Sequence, residues 1–120
     1  MPNKTVGIFP LTVAAVSQAA TVYSDPMLFR KATGDIAILV TIAGTTSITI
    51  TQQCSLDGIT FYDPTDASGN ALGAVIATSG AATKYISYSP VLANYIRYKV
   101  VENNTGAATV TIKVVSQEEI

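Results

Sequence analysis

The chain has 120 residues and a formal net charge of −1; 48% of its residues are hydrophobic and 12% are charged. That length suits a single domain with one core, and seven dispersed Lys and Arg residues leave no basic patch for nucleic acid. The absence of histidine excludes His-dependent triads and His-ligated metals, and the one cysteine, Cys54, excludes an intrachain disulfide or a multi-cysteine site.

The first feature in chain order is an apolar run over residues 6–16 behind Lys4, followed by Ser17-Gln18-Ala19. It imitates a secretory leader with a small-residue cleavage site. Pro10 interrupts it, however, and it is too short to span a bilayer, so no membrane segment is expected. We read residues 1–20 as structured chain, an N-terminal arm or first strand with an anchoring role, ahead of a β-sandwich domain over 21–120. Phe9 and Pro10 are candidate interface residues in that arm. The Ala-rich stretch 14–20 is the one helical candidate, but Val16, Thr21 and Val22 favour strands. Residues 12–16 and 21–24 are therefore expected to be strands that pass from one sheet to the other.

Period-two alternation then takes over. Ile36, Ile38, Val40 and Ile42 fall on one face of a strand over 35–42, with smaller or mixed residues on the other. Ala43-Gly44-Thr45-Thr46 reads as a hairpin loop into a second strand, 47–54, with Ile48, Ile50 and Cys54 inward. Asp57-Gly58 is the strongest two-residue turn signal and predicts that residues 59–62 fold straight back on the preceding strand. Pro64 ends that strand. Residues 63–80 read as a long loop around one short strand at 72–76. Strands follow over 83–88, 94–101 and 109–115; Asn103-Asn104-Thr105-Gly106 turns the last hairpin, and Val110, Ile112 and Val114 face inward. Seven to nine short strands with turns at this spacing predict an all-β fold: a two-sheet antiparallel β-sandwich, jelly-roll-like in layout.

Three constellations carry chemistry on paper. Ser55-Leu56-Asp57-Gly58-Ile59-Thr60-Phe61 is similar to the Asp-box hairpin of sialidase-type propellers, but one residue is missing and the motif occurs once. Asp57, Asp63, Asp66 and Asn70 could offer oxygen ligands to calcium, yet their spacing fits no EF-hand and turn chemistry accounts for them equally well. Tyr85, Tyr88, Tyr95 and Tyr98 could stack sugar rings. Members of each pair are three apart, so one of each is expected in the core. Tyr95, Arg97 and Lys99 share a strand face and form the main candidate interface, because Tyr and Arg are enriched where proteins meet. Asn3-Lys4-Thr5 and Asn103-Asn104-Thr105 match the glycosylation sequon, the second already explained as a turn. No cofactor, no metal and no enzymatic activity are expected.

Three segments together resemble small β-sandwich virion proteins of tailed bacteriophages. They are Cys54-Ser55-Leu56-Asp57-Gly58-Ile59-Thr60-Phe61-Tyr62-Asp63-Pro64, then Ser89-Pro90-Val91-Leu92-Ala93-Asn94-Tyr95-Ile96-Arg97-Tyr98, then Asn104-Thr105-Gly106-Ala107-Ala108-Thr109-Val110-Thr111. The resemblance covers residues 35–115 and leaves the N-terminal segment outside. It implies a capsid decoration (cement) protein, often a homotrimer, that contacts the major capsid protein and copies of itself on the virion surface. The low charge suits such packing, because few ionised groups have to be desolvated. Two other readings share the fold class: a carbohydrate-binding or adhesin module, whose partner is a glycan, and a phage tail or baseplate component.

Overall fold

Runs of alternating β-branched and polar residues separated by Gly, Pro, Asn and Asp leave the chain one economical way to bury its apolar face, as strands. The structure, a computed structural model, describes residues 4–10, 13–29 and 32–119, with side chains described for 15–29 and 35–116. Asn3 and residue 12, named above, lie outside the described residues. The strands are β1 (Lys4–Pro10), β2 (Val13–Val16), β3 (Thr21–Tyr23), β4 (Met27–Leu28), β5 (Ala32–Ala43), β6 (Ser47–Ser55), β7 (Ile76–Ser79), β8 (Ala82–Tyr88), β9 (Tyr95–Glu102) and β10 (Ala108–Glu119).

All pairings are antiparallel and fall into two sheets. Sheet A runs β1-β10-β5-β8, with β2 pairing a further stretch of β10; sheet B runs β3-β9-β6-β7, with β4 pairing a further stretch of β9. Each sheet therefore has one edge row broken into two pieces, and the ten strands make eight rows. Numbered along the chain, those rows lie in the order 1-8-3-6 and 2-7-4-5, which is the winding of a jelly roll. The chain passes from sheet A to sheet B between β2 and β3, as the sequence predicts.

The core forms where the two inner faces meet. Ile36, Ile38, Val40 and Ile42 of β5, Ile48 and Ile50 of β6, Ile96, Tyr98 and Val100 of β9, and Val110, Ile112 and Val114 of β10 are all buried. Each such aliphatic side chain contributes roughly 1.5–3 kcal/mol by leaving water. The alternation of β6 continues past Ile50 with Gln52, which is also buried. Its amide spans the interior: Oε1 accepts from the Tyr88 hydroxyl at 2.7 Å and Nε2 donates to the Val91 carbonyl at 3.0 Å, while the Tyr88 and Tyr98 hydroxyls bond to each other at 2.7 Å. Burial pushes the Tyr88 hydroxyl up to about 12. Four expectations need correcting. Neither 43–46 nor 103–106 turns a hairpin: β5 and β10 lie in sheet A and β6 and β9 in sheet B, so both loops carry the chain from one sheet to the other, and β5 pairs with β10 and β6 with β9 instead. Cys54 is only half-buried, because the sandwich opens toward the end of β6 that Gln52 closes from within. The short strand expected at 72–76 begins only at Ile76, where β7 finds its partner Ile50.

At the opposite end, Glu102 organises three loops. It sits at an inward position of β9 and is buried, and its carboxylate accepts from the Thr46 hydroxyl and from the backbone N–H groups of Ser47, Ala19, Thr105 and Gly106. Burial pushes the Glu102 carboxyl up, but the Thr46 hydroxyl and these N–H donors more than offset it and hold the group at about 2. Backbones meet closely beside it: a Cβ on Gly106 would lie 2.2 Å from the Thr45 carbonyl oxygen, and one on Gly44 2.5 Å from that of Ala107. Only glycine fits at either position.

Candidate interface at one end of the sandwich

The outer face of β9 carries Tyr95, Arg97 and Lys99, each half-buried, while Ile96, Tyr98 and Val100 fill the core from its inner face. The register sets Gln53 of β6 beside Arg97, Ser55 beside Tyr95 and Thr51 beside Lys99. The three stripe residues do share one face. Their charges, however, are largely engaged within the chain. The Arg97 guanidinium carbon lies 4.1 Å from the Tyr23 ring centroid and 4.2 Å from that of Phe61, and its Nε donates to Gln53 Oε1 at 2.7 Å. A planar cation between two rings gains from both faces. Gln53 in turn donates to Asp63 Oδ1 at 2.9 Å, and Lys99 pairs with Asp63 Oδ2 at 3.4 Å. The Gln53 amide lowers the Asp63 carboxyl against partial burial, and the Lys99 and Arg97 charges add to it. This chain of contacts fastens the segment after β6 onto the outer face of sheet B.

That segment is not the tight two-residue hairpin expected at Asp57-Gly58. Backbone bonds of 3.0 and 2.9 Å join Cys54 to Tyr62, and between them the chain is wrapped around two side chains. Ser55 Oγ accepts from Gly58 N–H at 2.8 Å and donates to Asp57 Oδ1 at 3.0 Å. Asp57 Oδ1 accepts from Ile59 and Thr60 N–H at 2.9 and 3.0 Å, and these two bonds, with that from Ser55, lower its carboxyl. Such self-capping loops replace a backbone turn when Ser and Asp stand two apart. Gly58 takes φ 79° and lies against the Tyr95 ring, where a Cβ would touch it at 3.4 Å. Tyr95 thus forms a floor under the loop.

The effect is to hold apolar side chains in solvent. Leu92 is 93% exposed, Ile59 83%, Leu56 77% and Tyr62 64%. The segment bearing Leu92 is tied to the same end: Asn94 Nδ2 donates to the Leu56 carbonyl at 3.2 Å, and the Asn94 carbonyl accepts from Phe29 N–H at 2.7 Å. Leu56, Tyr62 and Leu92 line, with Cys54, Ser55 and Ala93, a shallow hollow of about 220 Å³. Exposed apolar side chains gathered around one hollow mark a contact surface, whereas single exposed ones need no explanation. Sequence reading located the polar stripe but not these neighbours. Apolar residues inside turn segments, with no strand face to bury them, were the available sign.

The remaining candidates sit apart. The side chains of Phe9 and Pro10 lie outside those described; their backbones pair with Val114 and Lys113. Asp66 caps its own turn through Ser68 and Asn70 N–H at 2.9 and 3.0 Å, so Asp57, Asp63 and Asp66 each serve a different local structure. Among the described residues no three acidic or cysteine side chains converge on one point. Tyr88 and Tyr98 are the core members of their pairs; Tyr85 stands exposed on the outer face of sheet A. Burial raises the Cys54 thiol, only partly countered by the Gln52 amide, which disfavours the reactive thiolate.

No family model and no curated protein matches the sequence. Solved structures do match the fold. The SPBc2 prophage-derived protein YomS is 17% identical with a TM-score of 0.50, covering 97% of this chain and 96% of its own. The C-terminal CBM6 of LamC, a marine laminarinase from Zobellia galactanivorans, is 9% identical with a TM-score of 0.52, covering 90% and 98%. A chain of infectious bursal disease virus, Gx strain, is 9% identical with a TM-score of 0.53, covering 98% of this chain and 32% of the viral one. At these identities the likeness establishes the β-sandwich fold and nothing finer.

Proposed function

We propose that the chain is a structural virion subunit, a decoration protein that seats on the shell of a phage capsid and reinforces it by contact alone, without catalysis. The observation that carries this reading is the set of apolar side chains, Leu56, Ile59, Tyr62 and Leu92, held out at one end by loops that hydrogen-bond themselves into place. A preordered apolar patch with a polar rim is what a protein partner can bury at low entropic cost. The rim supports a protein over a membrane surface, because Arg97 and Lys99 are engaged internally and Asp57 and Asp63 are acidic. Copies would lie side by side, in the homotrimer implied above, through the outer face of sheet A, where Leu39 aligns with Tyr85 and Lys113 and Thr41 with Thr83 and Thr111. The fold's occurrence in a prophage-derived protein and in a virus particle is in keeping with this reading. The test is sedimentation with purified expanded capsids of the encoding virus: a fixed copy number per capsomer and raised heat resistance are expected, and absence of binding contradicts the proposal. A tail or baseplate location is separated by imaging the particle.

One observation favours a second reading, a carbohydrate-binding module. Tyr85 presents a ring that is 66% exposed on an open sheet face, whereas Tyr95 is covered by Gly58. A glycan array checks it: saturable binding lost on Tyr85→Ala would support a sugar site there, and a blank array would remove the reading.

A further inference from the structure

β8 closes one side of sheet A, and among the described residues no strand pairs with its outer side. The other edges are interrupted. β1 carries Pro10 and β2 has four residues, the β3–β4 row consists of three and two residues around Ser24-Asp25-Pro26, and β7 has four residues and runs into Gly80. Short, broken or proline-bearing edges resist pairing with other chains. β8 has seven residues without Gly or Pro, and it stays in register with β5 from Ala82↔Ile42 to Tyr88↔Ile36. Its single charge is Lys84.

The position of that charge is unusual. Lys84 stands opposite Val40, a core residue of 0% exposure, so its Cβ lies on the core side of the sheet. Lys84 is nevertheless exposed, because the long side chain reaches water around the open edge. A strand laid along β8 would close that route.

We propose that the free edge of β8 is a strand-pairing site whose partner is selected by Lys84: it refuses a second copy of this chain and accepts an extended segment that sets a carboxylate on the core-side face near the Lys84 amine. Two copies paired antiparallel about Tyr85 would match Thr83 with Ser87 and Tyr85 with itself, both favourable cross-strand pairs. The same register leaves the two Lys84 side chains diagonal to each other on the core side, and pairing about Lys84 sets them directly opposite. Like charges cut off from water oppose either dimer. Replacing one ammonium by a carboxylate turns the repulsion into an ion pair. The inference does not depend on attachment through the Leu56–Leu92 end, which lies on other loops.

The probe is the chain itself carrying Lys84→Glu. Amide hydrogen exchange across residues 83–87 is measured for wild type, Lys84→Glu and Lys84→Thr alone, and for an equal mixture of wild type and Lys84→Glu, with circular dichroism checking that each variant is folded. The outward amides of β8 should exchange about tenfold or more slowly in the mixture and in Lys84→Thr than in wild type or Lys84→Glu alone. No added protection in the mixture overturns the proposal. So does protection of wild type alone equal to that of Lys84→Thr, a comparison in which any packing of copies through the outer face of sheet A is common to both and cancels.

Discussion

Glu102 accepts the hydroxyl hydrogen of Thr46, a residue 56 positions earlier, inside the end of the sandwich where three loops converge. The carboxylate is more acidic in the folded chain than in the unfolded one, held at about 2 against an ordinary 4.5. A depressed carboxylate stabilises the fold above its unfolded value and loses that contribution as pH falls through its folded value. Stability should therefore decline between about pH 4.5 and about pH 2. Glu102→Gln should lower Tm at neutral pH and flatten this part of the acid limb. Urea melts at a series of pH values, wild type beside variant, check it; parallel acid limbs would show that Glu102 is not the group responsible.

Arg97→Lys tests the clasp between Tyr23 and Phe61. The charge is kept, but the plane that stacks on both rings and the Nε bond to Gln53 are lost. A loss of about 1–2 kcal/mol in urea denaturation is expected, more than for a solvated strand residue. Phe61 belongs to the loop fastened by this contact, so proteolytic nicking near residues 56–61 should accelerate as well.

Gly106→Ala should be among the most damaging single-atom additions. The new Cβ would fall 2.2 Å from a backbone oxygen of Thr45, and backbone on both sides cannot yield without separating the two inter-sheet loops, 43–46 and 103–107, that Glu102 joins. We expect a cost of at least about 2 kcal/mol. Gly69→Ala is the control: its φ is 86° with open space around it, so only the left-handed backbone penalty of about 1–2 kcal/mol applies. Calorimetry should rank Gly106→Ala as the lower-melting variant.

The central strands were legible in the sequence because a period of two with β-branched residues has only one burial solution. Ile36 to Ile42, Ile48, Ile50 and Val110 to Val114 all lie where alternation puts them. The same rule carried the inward reading one pair too far, to Cys54, since alternation gives the face of a residue but not where the facing sheet stops. Asp57-Gly58 looked like a two-residue turn because its neighbours' contribution, the Ser55 hydroxyl and the Asp57 carboxylate gathering four N–H groups, is invisible to a dipeptide rule. Glu102 was passed over for a related reason. Its donors come from residues near 19, 46 and 105, and only the folded topology brings them together. The apolar end was missed because Leu56, Tyr62 and Leu92 share a surface only once the 55–62 and 89–94 segments are known to be neighbours.

The loop that carries the patch can be loosened without touching the patch. Ser55→Ala removes the acceptor of the Gly58 N–H and the donor to Asp57, at a cost of about 1–2 kcal/mol for a buried hydroxyl. If preordering of Leu56 and Ile59 matters, this variant should bind shells more weakly at temperatures where it is fully folded. Binding isotherms below its melting transition give the comparison.

The most direct test of contact through the apolar end is to replace Ile59 and Leu92 by Ser together and measure binding to expanded capsids. Both side chains are almost wholly in solvent, so the variant should keep the wild-type stability to within about 1 kcal/mol, about 0.5 for each substitution. The account predicts at least a tenfold loss of shell affinity with the fold intact, as expected when central apolar anchors are removed from an interface. Undiminished binding by the folded variant would contradict it.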